Sequence, residues 1–112
     1  MKSDSPGLSY YLLNNNKNYV RGVAHVKPNF IGDIHTHVEP ERYTILKGQG
    51  ILHLGGQERE LFTGDCIYIG SNIPHAFVAT GGNTVVLMFE FDSGPLEKIK
   101  YTYTGKTIKQ KF

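Results

Sequence analysis

The sequence predicts an all-β domain, a sandwich or barrel with little or no helix, on three observations. No stretch of eleven or more residues keeps a helical apolar period. Short β-rich runs alternate with turn signals along the chain. Thirteen Gly and five Pro with no Trp suit a turn-rich protein. The 112 residues, 39% hydrophobic, make one domain spanning 1–112 and supply a core without disulfide staples.

The runs follow in order. The first 18 residues, with Asn14-Asn15-Asn16, show no firm pattern beyond the β-prone Tyr10–Leu13. Tyr19–Lys27 reads as a strand ended by Pro28-Asn29, and Asp33–His37 and Arg42–Lys47 as the next two. Gly50–Leu54 stops at Gly55-Gly56, a pair fitting a two-residue hairpin turn that needs positive φ. Arg59–Phe62, Cys66–Ile69, His75–Ala79 and Thr84–Phe91 continue the series. Lys98–Thr104 and Thr107–Phe112 flank Gly105-Lys106 and read as a terminal hairpin. In Thr84–Phe91 the set Val85, Leu87, Phe89 and Phe91 is uninterrupted and apolar, so it is placed inward, with Glu90 outward. With the opposite phase, Glu90 would become an acid–base candidate.

The net charge of +2 is uneven: residues 1–92 carry −2, and residues 93–112, a basic strand or hairpin extension, carry +4. The extension's lysines alternate with Ile99, Tyr101 and Tyr103, like the wet face of a strand. It has no Arg and no nucleic-acid motif, so no nucleic-acid partner is expected. The longest apolar runs, such as Val85–Phe89, are far too short to cross a bilayer as a helix, and no membrane partner is expected. One Cys and no leader-like apolar stretch lead to the expectation of a cytoplasmic protein.

The chemistry lies in His35-Thr36-His37-Val38-Glu39-Pro40-Glu41. On a strand, residues i and i+2 face one side with Cα atoms about 7 Å apart, so both imidazoles can aim at one point. Pro40 breaks the strand, and Glu41 can approach that point from a neighbouring one. His75, after Pro74, is a fourth donor far along the chain. Three imidazoles and a carboxylate suit a divalent Fe, Mn, Ni, Cu or Zn ion. A His-x-His pair alone is a weak signal and reads more readily as two exposed histidines on a strand.

The spacing adds weight, because here the chain resembles the cupin family. That family's first motif, G-x5-H-x-H-x3,4-E-x6-G, is matched by Asn29, His35, His37, Glu41 and Gly48. The second, G-x5-P-x-G-x2-H-x3-N, is matched by Gly64, Gly70, Asn72, His75 and Ala79. The departures, Asn29, Gly70, Asn72 and Ala79, fall at backbone and supporting positions, and Asn tolerates left-handed geometry well. The resemblance covers residues 20–91 and implies a jelly-roll β-barrel. It implies one divalent transition metal per chain, held by His35, His37, Glu41 and His75 before an open cavity.

Alternation then names the cavity lining: Tyr43 and Ile45 on the side of Glu41, Phe77 on the side of His75, and Leu87 and Phe89. Tyr43 is the catalytic candidate, able to hydrogen-bond a substrate oxygen or give a proton. The competing reading is that Tyr43 and Phe77 only fill the barrel. His53 and His25 read as exposed or interface histidines, and Cys66 as a strand residue without activating neighbours. The reading favours a metalloenzyme of isomerase, dioxygenase or lyase type acting on a small oxygenated molecule. The alternative is a non-catalytic binding or sensing module. The family implies a homodimer, with Tyr10, Tyr11, Tyr101 and Tyr103 available for burial at sheet edges.

Overall fold

The computed structural model describes residues 2–109. Among these residues, eleven strands form two antiparallel sheets. They are β1 (Lys2–Ser5), β2 (Leu8–Asn15), β3 (Val20–Val26), β4 (Gly32–Thr36), β5 (Glu41–Lys47), β6 (Gln49–Leu54), β7 (Gln57–Phe62), β8 (Cys66–Ile69), β9 (His75–Ala79), β10 (Val85–Phe91) and β11 (Thr102–Ile108). One six-stranded sheet runs β1-β2-β3-β10-β5-β8, and a five-stranded sheet runs β11-β4-β9-β6-β7. The only helical element among the described residues is a 3-10 turn, Leu96–Lys98.

Alternation sets which face each strand buries. On β10, Val85, Leu87, Phe89 and Phe91 are buried, while Val86, Met88 and Glu90 face outward and are half-buried. They meet Ile45 from β5 and Leu52 and Phe77 from the other sheet in one core. Glu90 is thereby removed from the interior. On the outer face it accepts hydrogen bonds from Tyr19 and from Arg21 (3.3 Å), and Arg42 pairs with Asp92 at 2.7 Å beside it.

The turn chemistry agrees with the sequence at its sharpest signal. Gly55 and Gly56, at φ 58° and 87°, close the β6–β7 hairpin, with Leu54 opposite Gln57. Asn72 stands where the family has Gly and adopts φ 59°, which Asn accepts at low cost. Its N–H donates to His37 O at 2.9 Å, tying the loop before β9 to the end of β4.

Both chain ends depart from expectation. The early segment is not loose: β2 pairs with β3 from Leu8 opposite Val26 to Asn15 opposite Val20. The Tyr10–Leu13 run is therefore an interior strand of its sheet, with β1 on its other side, and not an edge. The terminal hairpin does not form. Lys98 closes the 3-10 turn, and Thr102–Ile108 is a single strand pairing with β4. Gly105, at φ 84°, sits within a register shift between Tyr103 and Thr107, so the glycine absorbs a bulge instead of a turn. The last part of the expected hairpin, residues 110–112, lies outside the described residues.

Candidate metal centre and its cavity

The strands bring the four donor residues together from both sheets. β4 pairs with β9 so that His35 stands directly opposite His75. His37 follows the end of β4, and residues 38–40 carry the chain across to the other sheet, where Glu41 opens β5 opposite Phe91. The donor atoms of His35, His37 and His75 lie within 4.8 Å of one another. Glu41 Oε1 is 3.1 Å from His37 Nε2 and 3.5 Å from His75 Nε2. His37, Glu41 and His75 are buried, and Phe91 lies edge-on to His37 at 5.3 Å between ring centroids.

Each imidazole is oriented by the main chain. Nδ1 of His35 lies 2.7 Å from Asp33 O, Nδ1 of His37 2.7 Å from Glu39 O, and Nδ1 of His75 2.8 Å from Ile73 O. A carbonyl only accepts, so all three Nδ1 atoms carry the proton and Nε2 is left toward the centre. This is the arrangement that fixes a metal-binding histidine.

The metal-free site shows why a cation suits it. With Nδ1 protonated, the contact of His37 Nε2 with Glu41 is a hydrogen bond only if His37 is an imidazolium. Burial pushes His37 down, but the hydrogen bond and charge of Glu41 outweigh it and raise its pKa. Burial likewise pushes the Glu41 carboxyl up, and His37 and His75 together hold it below its usual range. His35 is driven down to about 4, chiefly by burial. His75 Nε2 is buried with no hydrogen-bond partner, a costly condition for a polar atom. A divalent ion in place of the His37 proton would satisfy all three nitrogens and the carboxylate, so the residues fit a metal.

A cavity of about 470 Å³ opens from this cluster. Phe77, Leu87 and Phe89 line it, and so does Tyr43, whose ring meets His75 edge-on at 6.3 Å between centroids. Burial raises the Tyr43 phenol well above its ordinary pKa, and the charges of Glu41 and Tyr101 add to the rise. Ile45 is the exception. It is 1% exposed and sits in the closed core, one alternation beyond Tyr43 and outside the lining. His53 and His25 lie away from the cavity, and Cys66 is exposed.

Sequence reasoning missed lining residues from both ends of the chain. Tyr10 enters from β2, where its ring meets Phe89 edge-on at 5.9 Å. Tyr101 and Tyr103, named for burial at a sheet edge, also stand beside His35, with ring centroids 5.1 and 5.8 Å from its own. Asp33 also lines the cavity. Its signal was legible, since it precedes His35 by two and shares its side of the strand.

Comparisons with known proteins agree with this geometry. The cupin domain family model matches residues 22–91. Dimethylsulfoniopropionate lyase DddW of Ruegeria pomeroyi is 32% identical over 89 residues, 80% of this chain and 58% of that protein. The chain thus spans somewhat over half the length of this relative. Among solved structures, an RmlC-like cupin from Shewanella frigidimarina superposes with a TM-score of 0.78 at 17% identity, over 86% of this chain and 85% of its own. Salicylate 1,2-dioxygenase from Pseudoaminobacter salicylatoxidans superposes at 0.79 and 16% identity, over 93% of this chain and 31% of its own. At such identities the two structures bear on the fold alone. Two sheets joined at a histidine-rich centre, and a family match that spans both motifs, lead to one assignment: the chain belongs to the cupin family.

Proposed function

We propose that this protein is a metal-dependent cupin lyase acting on a small carboxylate in the barrel cavity. The observation that carries the reading is the convergence of three imidazoles and Glu41 at a centre from which His35 and Glu41 reach a cavity that Tyr43 also lines. The relation to a dimethylsulfoniopropionate lyase selects the lyase option and the first substrate to test. His35, His37, Glu41 and His75 would hold the metal. When bound, it would supply Lewis acidity to a substrate carboxylate and a positive charge opposing the pull of Glu41 on the Tyr43 proton.

The elimination breaks a C–H bond beside the carboxylate and the C–S bond one carbon further on, and forms a C=C bond. With the metal bound, Tyr43 would first give up its own proton to water; its phenolate Oη then receives the substrate proton, and the sulfonium sulfur leaves with the bonding pair as a neutral thioether. The remaining chain residues position the substrate and keep water out: Phe77, two residues along β9 from His75, and Leu87 and Phe89 from the other sheet line the cavity as apolar walls.

The test gives metal-analysed protein dimethylsulfoniopropionate and measures dimethyl sulfide and acrylate. Equimolar release of both supports the reading. Tyr43→Phe should keep its metal and fold and lose turnover by about 10²-fold or more. Failure of the protein to turn over substrate with any of Fe, Mn, Ni, Cu or Zn sinks the lyase assignment and favours a binding module.

A further inference from the structure

The mouth of the cavity has its own chemistry. Besides His35, Glu41 and Tyr43, the polar groups lining it include Asp33 and the phenols of Tyr10, Tyr101 and Tyr103, and no Lys or Arg lines it. Of the two carboxylates in the cavity, Glu41 is engaged by His37 and His75, whereas Asp33 is exposed and has no ion pair among the described residues. Tyr101 and Tyr103 are 38% and 62% exposed, and their rings lie side by side, 6.5 Å apart and 26° from parallel. Aromatic rings lining the same cavity as a carboxylate that has no ion pair attract a cation that is weakly hydrated and has no N–H to donate. A compact ammonium would keep its water; a methylated onium group sheds it readily.

The charges are segregated along the cavity. The Tyr101 ring lies 5.1 Å from that of His35 and 5.2 Å from that of His37, tilted 33° and 58° to them, so a cation against it lies next to whatever the imidazole end holds. The lysines of this segment do not oppose it from within: Lys98 and Lys100 alternate with the inward residues and do not line the cavity. The aromatic rim also lies outside the part matched to the family, residues 22–91.

We propose that Asp33, Tyr101 and Tyr103 form an onium subsite, so that the cavity selects zwitterions carrying a carboxylate and a sulfonium or quaternary ammonium group on a short spacer. This rests on the reading that a carboxylate is held at the metal end, but it does not require catalysis.

The experiment compares two isosteric probes on the metal-loaded protein by calorimetry: 3-(trimethylammonio)propanoate and its neutral-headed counterpart, 4,4-dimethylpentanoate. The onium probe is expected to bind about tenfold more tightly or better. Tyr101→Phe and Tyr103→Phe should keep that preference, because the rings remain. The double change Tyr101→Leu/Tyr103→Leu and, separately, Asp33→Asn should each reduce it severalfold while leaving 4,4-dimethylpentanoate binding nearly unchanged. Equal affinity for the two probes, tighter binding of the neutral one, or binding of neither overturns the subsite. Preferential onium binding without turnover of dimethylsulfoniopropionate would retain the subsite and reject the lyase.

Discussion

Gly22 is where the cavity wall is most easily disturbed. It stands directly opposite Phe89 in the β3–β10 pairing, and the Phe89 ring lies across the space that a side chain would take. A Cβ at Gly22 would fall 2.3 Å from Phe89 Cζ, 2.7 Å from Cε1 and 2.9 Å from Cε2. Carbon atoms in contact need about 3.5–4.0 Å, so the ring must move by more than about 1 Å. Its retreat is hemmed in by Tyr10 at 5.9 Å and Phe91 at 6.4 Å between centroids, which leaves the cavity as the open direction. Gly22→Ala should therefore cost about 1–3 kcal/mol, the usual penalty for overpacking. In a domain of this size that is roughly 5–15 °C in Tm. The assay is urea unfolding of Gly22→Ala, Phe89→Leu and the double variant. Removing the ring should relieve the crowding, so the cost of Gly22→Ala should nearly vanish in the Phe89→Leu background. If the two changes are additive, the ring is not what meets the new methyl group, and the steric argument fails.

Replacing His75 by Ala should leave less than about a tenth of an equivalent of bound metal by elemental analysis, because three donors no longer close the site; a full equivalent would place the ion elsewhere. In the metal-free protein, His35 is held at about 4 against 6.5 when unfolded, so the unfolded chain binds the extra proton first. Its contribution is intact above pH 6.5 and is lost as pH falls from 6.5 toward 4, by about 2 kcal/mol at pH 5. Urea unfolding at pH 7 and pH 5 should show that loss in the wild type and not in His35→Gln; equal losses refute it. A homodimer is also expected, since Tyr11, Leu46 and Tyr68 are 41%, 45% and 61% exposed on the outer face of the six-stranded sheet. Light scattering at micromolar concentration should give twice 12.6 kDa, and the monomer mass would refute it.

What the sequence made legible was what strand alternation encodes. It placed Val85, Leu87, Phe89 and Phe91 inside and Glu90 outside, and it put His35 and His37 on one side of a strand. Alternation tells which face of a sheet a side chain takes but not how far along the barrel it lies. Ile45 shows this limit: it shares the side of Tyr43 but is sealed in the core, beyond the open space. Tyr10 and Tyr101 were missed as lining residues for another reason. Their position depends on pairings, β2 with β3 and β11 with β4, between segments with no local signal for each other. Gly105-Lys106 misled because a glycine at positive φ serves a bulge as readily as a turn.

The three carbonyls that hold the imidazoles belong to Asp33, Glu39 and Ile73, and a carbonyl is present whatever side chain the residue carries. The donor geometry is thus insulated from substitution at the very positions that orient it. At Asp33 the separation is complete within one residue: its backbone seats His35 while its side chain faces the mouth. Side chains at the rim can therefore change without disturbing the main-chain contacts that aim the imidazoles.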